Sequence, residues 1–289
     1  MTEFEQLIHE YALTNKDLFS EKNSKREQRH KEYLDLENIA STKETAQLIA
    51  SVVSQRLKKE GSLDVIEIGS GTGGLAVALA RLGEYRVTGI EPETSGVKAS
   101  CLRAEKYPDT KTTFLQGYGE KIPLPDKAFD LVYTQSVLEH VADVPRVMAE
   151  AYRVLRPGGV IYIETPNYLW PTEQHYKIFF PPLLPKPLAR FYLKMRNKNP
   201  DGIDTINYVT PINIRRHLKQ SGFVNITDNT IEEYTKKLNN LSHVKHKRYL
   251  QSLLKIPFAS SVLRGVIRLL LMLGLYPGLK MSAQKILLK

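Results

Sequence analysis

Glu67 stands two residues before a glycine run, Gly69-Ser70-Gly71-Thr72-Gly73-Gly74, and Glu91 stands 24 positions after Glu67. Glycine lets a backbone turn tightly and lets a ligand approach without interference from a Cβ. A helix that begins directly after such a turn offers unpaired N–H groups and a partial positive charge. Two templates fit the spacing. Gly69, Gly71 and Gly74 match G-x-G-x-x-G, which receives the pyrophosphate of a dinucleotide such as NAD. Glu67 through Gly73 match E-x-G-x-G-x-G, which receives a nucleoside carrying a cationic amino-acid tail. A carboxylate at Glu67 repels a diphosphate and suits an ammonium or a sulfonium. Glu91, within Gly89-Ile90-Glu91-Pro92-Glu93, is placed to accept both hydroxyls of a ribose. A 2′-phosphate would want an Arg there instead. The plain structural readings are a tight strand-to-helix turn for the glycines and a solvated strand end for Glu91.

The elements around these residues alternate. Short apolar runs, LDVIEIG, YRVTGIEP, TTFLQG, FDLVYTQ, GVIYIETP and FVNITDN, read as strands. Between the first five lie helical segments at Leu75–Arg81, Thr94–Lys106 and Val144–Leu155, and a proline-rich loop at Lys121–Lys127. Strands alternating with helices predict βαβ crossovers and a parallel sheet covered on both faces. Upstream, residues 2–36 read as polar helix with Phe4, Leu7, Ile8, Tyr11 and Leu18 spaced helically, and Glu21–Lys31 is a charge cluster. A further helix is predicted from Thr42 to Lys59. The resulting division is one domain: N-terminal helices over 1–60, a core over 61–166, a lid insert over 167–210, a core helix and strand over 211–230, a basic amphipathic helical insert over 231–276, and a final edge strand over 277–289.

Composition narrows the function classes. The chain has 289 residues, 42% hydrophobic and 25% charged, which excludes disorder and collagen-like repeats. The single Cys101 excludes an internal disulfide and a cysteine-based zinc site. The acidic, polar N-terminus has no apolar signal core, so a cytoplasmic setting is expected. Charge is uneven: residues 171–289 carry 20 Lys and Arg against 6 Asp and Glu, a net +14, while residues 1–170 net −4. So basic a stretch predicts a solvated basic surface, an anionic substrate, an anionic membrane surface or nucleic acid.

With VIEIGSGTGG, the acid of GIEPE, EKIPLPDKAFDLVYTQSVLEHV and EAYRVLRPGGVIYIETPN in this order, the chain resembles the class I S-adenosylmethionine-dependent methyltransferases. More narrowly, it is similar to the small-molecule methyltransferases of ubiquinone and menaquinone biosynthesis over roughly positions 63–166. The resemblance implies a Rossmann-like, doubly wound, seven-stranded α/β sheet, mostly parallel with an antiparallel last strand, and helical inserts forming a lid. It implies S-adenosyl-L-methionine as cofactor and S-adenosyl-L-homocysteine as product. Gly69, Gly71 and Gly73, with Ser70 among them, would line the methionine part, and Glu67 would lie near its amino group. Glu91, followed by Pro92, would hold the ribose. Gly117-Tyr118-Gly119-Glu120 occupies the family's adenine-binding turn, with Tyr118 where Asp is usual; a tyrosine there could stack on the base or cover it. Gln135 and Ser136 would border the sulfonium, and Pro157-Gly158-Gly159 is the turn into the fifth strand.

Methyl transfer from a sulfonium is an in-line displacement in which the protein mainly supplies proximity and alignment. A hydroxyl nucleophile also needs a base. His140 is the first candidate and His175 the second, because histidine titrates near neutral pH; Glu139 and Glu173 are further candidates. Glu139-His140 is half of a metal site at most, so no metal is expected. The aromatic insert FFPPLLPKPLARFY predicts a lid with its own small core or an apolar acceptor pocket. In the second insert, Arg264 and Arg268 share a helical face with Val262, Val266, Leu269, Leu270 and Leu273 opposite or beside them. That helix either packs on the domain or a partner subunit, or rests on an anionic bilayer. Eleven uncharged residues, Leu269 to Leu279, are too few to span a membrane. The leading reading is methylation of a small-molecule, lipid-linked or glycan-type acceptor, at oxygen. A tRNA or rRNA methyltransferase, an NAD-dependent oxidoreductase and a non-catalytic binding protein of the same fold are the alternatives; no nucleic-acid-binding module accompanies the basic stretches.

Overall fold

The computed structural model describes residues 2–14, 30–57, 61–83, 85–239 and 257–286. Among the described residues nine strands follow one another as β1 (Leu63–Ile68), β2 (Tyr85–Glu91), β3 (Lys111–Gln116), β4 (Phe129–Gln135), β5 (Leu155–Pro166), β6 (Thr172–Glu173), β7 (Ile178–Phe179), β8 (Phe223–Asp228) and β9 (Gly278–Lys285). Seven of them form one sheet in the order β3-β2-β1-β4-β5-β9-β8. Strands β1 to β5 pair in parallel, and β9 runs antiparallel to both its neighbours. The expected mostly parallel, doubly wound sheet with an antiparallel last strand is therefore present. The expected edge position of that strand is not: β9 lies inside the sheet and β8 forms the edge. Met281 and Ala283 explain the placement, since both are fully buried and each needs cover that an edge does not provide.

Side-chain alternation builds a core on each face. Ile66, Ile68, Val132, Ile161 and Ile163 join one apolar cluster, while Val65, Leu131, Tyr133, Val160 and Tyr162 join the other. On the second face lie α2 (Ala40–Leu57) and α3 (Gly74–Ala80). On the first lie α5 (Val144–Val154) and α7 (Pro211–Gln220). Both of these helices start on designed caps: the Asp143 side chain accepts from the Arg146 N–H at 3.0 Å, and Thr210 with Asn213 forms a capping box. Of the predicted N-terminal helix, α1 (Glu3–Thr14) is described, while Leu18 and most of the Glu21–Lys31 cluster lie outside the described residues. Helix α4 (Thr94–Glu105) receives α1 through Ile8 and Ala99.

The first insert folds as a β6–β7 ribbon followed by α6 (Lys186–Met195) and a 3-10 turn at Asp201–Thr205. The expectation of a separate small core is corrected here. Tyr176, Phe180, Ala189, Leu193, Ile203 and Ile206 are buried in the same cluster as Ile66 and Ile161, so insert and sheet share one core. The second insert contributes α8 (Asn229–Asn239) and α9 (Pro257–Met272). Its Val262 and Arg264 side chains lie outside the described residues, whereas Val266, Arg268, Leu269 and Leu273 are exposed. Among the described residues no helix is long and apolar enough to cross a membrane.

Candidate active site

Strand order reverses between β1 and β4, and ligands of open α/β sheets bind at such a switch point beyond the carboxyl ends of the strands. The glycine run leaves β1 at that place. The Gly69 and Ser70 N–H groups donate to the Ile90 carbonyl at 2.8 and 3.0 Å, which pins the loop to the end of β2. Gly69 has φ +75°, and a Cβ there would lie 2.3 Å from Val137 Cγ2, so any side chain would be strained and would collide. Gly71 has φ +55° and donates its N–H to Glu91 Oε2 at 2.8 Å. Glu93 donates its N–H to the other oxygen at 3.2 Å. The Glu91 carboxylate is thereby fixed at the mouth of the loop, buried but with lone pairs remaining on both oxygens. Burial raises its pKa, and the two N–H donors oppose that rise.

Glu67 lies behind the loop with 4% of its surface exposed. Its Oε2 is buried without a hydrogen-bond partner. Burial, opposed by the neighbouring Tyr133 hydroxyl and reinforced by Glu91, pushes its pKa up to about 8. An acid kept in that condition suits a cationic ligand group. Ser70 Oγ is likewise buried without a partner.

Sequence reading named Tyr11 only as a helical apolar position. The structure puts its hydroxyl oxygen 3.1 Å from where a Gly71 Cβ would stand, and its ring against Gly96. Burial, with Glu91 and Tyr33 adding, raises the Tyr11 hydroxyl well above its ordinary pKa. Arg103 ties the neighbouring 33–37 segment to the loop, and its guanidinium lies 5.2 Å from the Phe4 ring of α1. Its guanidinium donates to the Thr72 carbonyl at 2.7 Å, to Glu37 and to the Tyr33 carbonyl. The only signal for this in the sequence was a tyrosine on an amphipathic helix, which does not reveal what the helix covers.

At the next strand end, the Gln116 amide donates to the Pro92 carbonyl at 2.9 Å and to Thr94 at 3.0 Å. Tyr118 is 63% exposed, so its ring does not cover the crevice in this structure. Gly119 packs against Ile68 and Val147. Glu120 accepts the Ala142 N–H at 2.8 Å and so braces the loop before α5. Gln135 is half-buried beside Glu164, and Ser136, exposed with φ +53°, donates its N–H to the Glu164 carbonyl at 2.9 Å.

The second cluster joins residues far apart in sequence. His140 follows β4 and His175 belongs to the insert, yet their Nε2 atoms are 3.2 Å apart. His175 Nδ1 is 2.7 Å from Glu173 Oε1. Glu173 is fully buried and also accepts the Tyr168 hydroxyl at 3.2 Å and the Tyr176 N–H at 2.7 Å. With Glu173 Oε1 accepting at 2.7 Å, the His175 proton lies on Nδ1, and its Nε2 lone pair faces His140. Glu139 is buried: its Oε2 accepts the Thr165 hydroxyl at 3.0 Å and its Oε1 has no partner. Burial raises Glu139 to about 7. All three sequence candidates, His140, His175 and Glu139, thus meet. Glu139, His140 and His175 bring one donor atom each within 4.8 Å of one another, a set able to hold a divalent cation. The expectation of no metal rested on seeing only Glu139-His140; the insert supplies a third donor.

Residues 66–163 match the family model described as "Methyltransferase domain". Over that stretch the chain is similar to methyltransferase domains. A demethylmenaquinone methyltransferase of Chlorobaculum tepidum is 31% identical to it over 148 residues, 49% of this chain and 57% of that protein. A ubiquinone biosynthesis O-methyltransferase of a Bradyrhizobium species is 34% identical over 111 residues, 37% of this chain and 42% of that protein. The chain spans about half the length of these curated relatives. Among solved structures, the putative sarcosine dimethylglycine methyltransferase from Galdieria sulphuraria superposes with a TM-score of 0.53 at 18% identity, covering 85% of this chain and 86% of that one. Phosphoethanolamine N-methyltransferase 2 from Haemonchus contortus, solved with S-adenosyl-L-methionine, gives 0.51 at 17% identity, covering 82% and 52%. At such identities the likeness concerns the fold. It shows that residues 66–163 and the elements flanking them share one architecture with these structures.

Proposed function

We propose that this chain transfers the methyl group of S-adenosyl-L-methionine to a hydroxyl oxygen of a small-molecule, lipid-linked or glycan-type acceptor, leaving S-adenosyl-L-homocysteine. The observation that carries the reading is Glu67. A fully enclosed carboxylate with one oxygen unpartnered, behind a loop whose Gly69 cannot accept a Cβ, fits an amino acid's ammonium and not a diphosphate. Glu67 would face the amino group, and Gly69, Ser70, Gly71 and Gly73 the methionine part. Glu91 and Pro92 would hold the ribose side, Tyr118, Gly119 and Glu120 the adenine side, and Gln135 and Ser136 the border with the acceptor. Tyr11 would close over the loop. When bound, the cofactor supplies a methyl group on a cationic sulfur.

The chain's own contribution is alignment and proton removal. Glu173 holds His175 in the tautomer whose Nε2 can accept a proton, an arrangement in which a buried acid orients a base. His175 therefore takes the acceptor proton once the acceptor hydroxyl displaces the His140 Nε2–H that faces its Nε2 at 3.2 Å. This reverses the order suggested by position in the sequence, where His140 came first. Glu139 borders the same space. Relatives named for menaquinone and ubiquinone biosynthesis support including quinols among the acceptors tried.

Calorimetry with S-adenosyl-L-homocysteine and with NAD tests the cofactor. Binding of the first and not the second is expected; the opposite result rejects the reading in favour of an oxidoreductase. A radiolabelled methyl-transfer screen over quinols, glycans, lipid-linked sugars and transfer RNA then tests the acceptor, and label found only in RNA would displace the hydroxyl proposal.

A further inference from the structure

Away from the methyltransferase crevice, a groove of about 550 Å³ opens between α7 and the end of α9. Its wall includes Leu169, Ile231, Leu271 and Tyr276, and its rim carries Arg215, Arg216 and Lys219 from α7. Large apolar side chains stand out around it: Ile212 is 72% exposed, Met272 81%, Leu273 57% and Leu269 55%. A monomer gains nothing by presenting so many of these together. Asp228 also lines the groove, but its carboxylate accepts the Thr230 and Ile231 N–H groups and the Tyr276 hydroxyl, which turns it toward the start of α8. No ion pair joins Arg215, Arg216 or Lys219 to a described acidic residue.

We propose that this face, with Ile212, Leu269, Met272 and Leu273 entering and Arg215, Arg216 and Lys219 flanking, docks on an anionic phospholipid bilayer. Charge decides between occupants. Two copies meeting face to face would set one copy's three cations against the other's, since a two-fold contact uses the same patch twice. A nucleic acid would leave the protruding apolar side chains in water. A bilayer with acidic headgroups answers both features at once: apolar tips enter the headgroup boundary and cations meet phosphates. The net +14 of residues 171–289 reinforces the attraction. The groove also adjoins the active site through consecutive residues. Leu169 lines the groove, while the hydroxyl of Tyr168 bonds to Glu173, which orients His175. A docked molecule would hold the catalytic cluster close to the membrane surface, where an amphiphilic acceptor resides.

Co-sedimentation of the full chain with vesicles tests this. Wild type is expected to pellet with phosphatidylcholine vesicles that contain phosphatidylglycerol, to stay in solution with phosphatidylcholine alone, and to be released by salt. Each basic residue near an anionic surface contributes about fivefold. The double variants Met272→Glu with Leu273→Glu, and Arg216→Glu with Lys219→Glu, should each bind at least about tenfold more weakly. All four positions are exposed, so melting temperature and affinity for S-adenosyl-L-homocysteine should not change, and that titration reports separately on the methyltransferase reading. Absence of wild-type binding to the acidic vesicles overturns the proposal. So does full binding by both double variants, which would move the contact to another basic segment. Self-association in sedimentation velocity, abolished by Met272→Glu without any vesicle binding, would assign the face to a second copy instead.

Discussion

Glu67 and Glu173 are both sealed from water, at 4% and 0% exposure, yet their surroundings differ in kind. Glu173 is saturated by donors from the protein: the Tyr168 hydroxyl, His175 Nδ1 and the Tyr176 N–H. Glu67 has an oxygen with none. A buried acid with an unpartnered oxygen costs stability, because a polar atom removed from water needs compensation. The difference separates a group that orients another side chain from a group that awaits a ligand. On the proposed reading Glu173 belongs to the first kind and Glu67 to the second, and the two clusters should respond to substitution in opposite ways.

The largest expected effect lies on the saturated side. Replacing His175 by Ala should lower methyl transfer by about 10²–10⁴-fold while the affinity for S-adenosyl-L-homocysteine stays as in wild type. His140→Ala should cost less, because His140 has no carboxylate to orient it. Glu173→Gln should fall between wild type and His175→Ala. If His140→Ala proves the more damaging, the base assignment passes back to it. A chelator sharpens the same comparison: unchanged turnover keeps the histidines as proton acceptors, and a loss restored by zinc makes Glu139, His140 and His175 ligands of an ion.

On the ligand side the readout is affinity. Glu91→Ala should weaken S-adenosyl-L-homocysteine binding by about 1–3 kcal/mol, from the loss of charge-assisted contacts and from freeing the Gly71 and Glu93 N–H groups it now fixes. Turnover at saturating cofactor should change much less. Calorimetry showing undiminished affinity would remove Glu91 from the ribose.

Glu67 gives a pH-dependent effect. With a pKa of about 8 in the ligand-free protein, it holds its proton at pH 7. A cationic amino group beside it favours the carboxylate, so binding near pH 7 should release close to one proton, and progressively less as pH rises past 8. Calorimetry in buffers of different ionisation enthalpy measures this, and Glu67→Gln should abolish it. The sign for stability follows from the same values. The unfolded chain loses this proton near 4.5 and the folded one near 8. Between those values the folded state binds more protons, so the ligand-free protein should lose stability as pH rises from about 4.5 to 8. Equal proton release by wild type and Glu67→Gln would place the cationic group elsewhere.

The two regions also differ in how far the sequence disclosed them. The loop from Val65 to Gly74 is contiguous, and strand, turn and helix each leave a local pattern. The two acids sit on adjacent parallel strands whose pairing, Glu67 beside Gly89, follows from the sheet alone. His140 and His175 lie 35 positions apart, and their meeting depends on the two-residue strands β6 and β7, too short to show a period. The insert's apolar residues were visible; whether they made a core of their own or extended the sheet's core depended on long-range packing that composition does not encode. The same holds for β9. A strand-like ending was legible, but its place between β5 and β8 is set by partners distant in sequence. Tyr11 shows the limit on the ligand side, since only the docking of α1 on α4 brings it over Gly71.

Tyr118 should give the smallest effect. The family resemblance would place an acid there, yet the Tyr118 side chain faces solvent at 63% exposure and its backbone carbonyl accepts the Lys121 N–H. Removing an exposed ring should leave stability within about 0.5 kcal/mol. Stacking on a bound adenine would be worth about 0.5–1.5 kcal/mol, the range for paired aromatic rings, so Tyr118→Ala should reduce S-adenosyl-L-homocysteine affinity by about tenfold at most. A larger loss would mean that the ring closes over the ligand on binding. Tyr118→Asp separates the remaining alternative. If wild type bound no S-adenosyl-L-homocysteine and the acid restored binding, Tyr118 would have turned this fold into a protein that no longer takes the cofactor, and the unpartnered oxygen of Glu67 would be a relic of a site rather than a site in use.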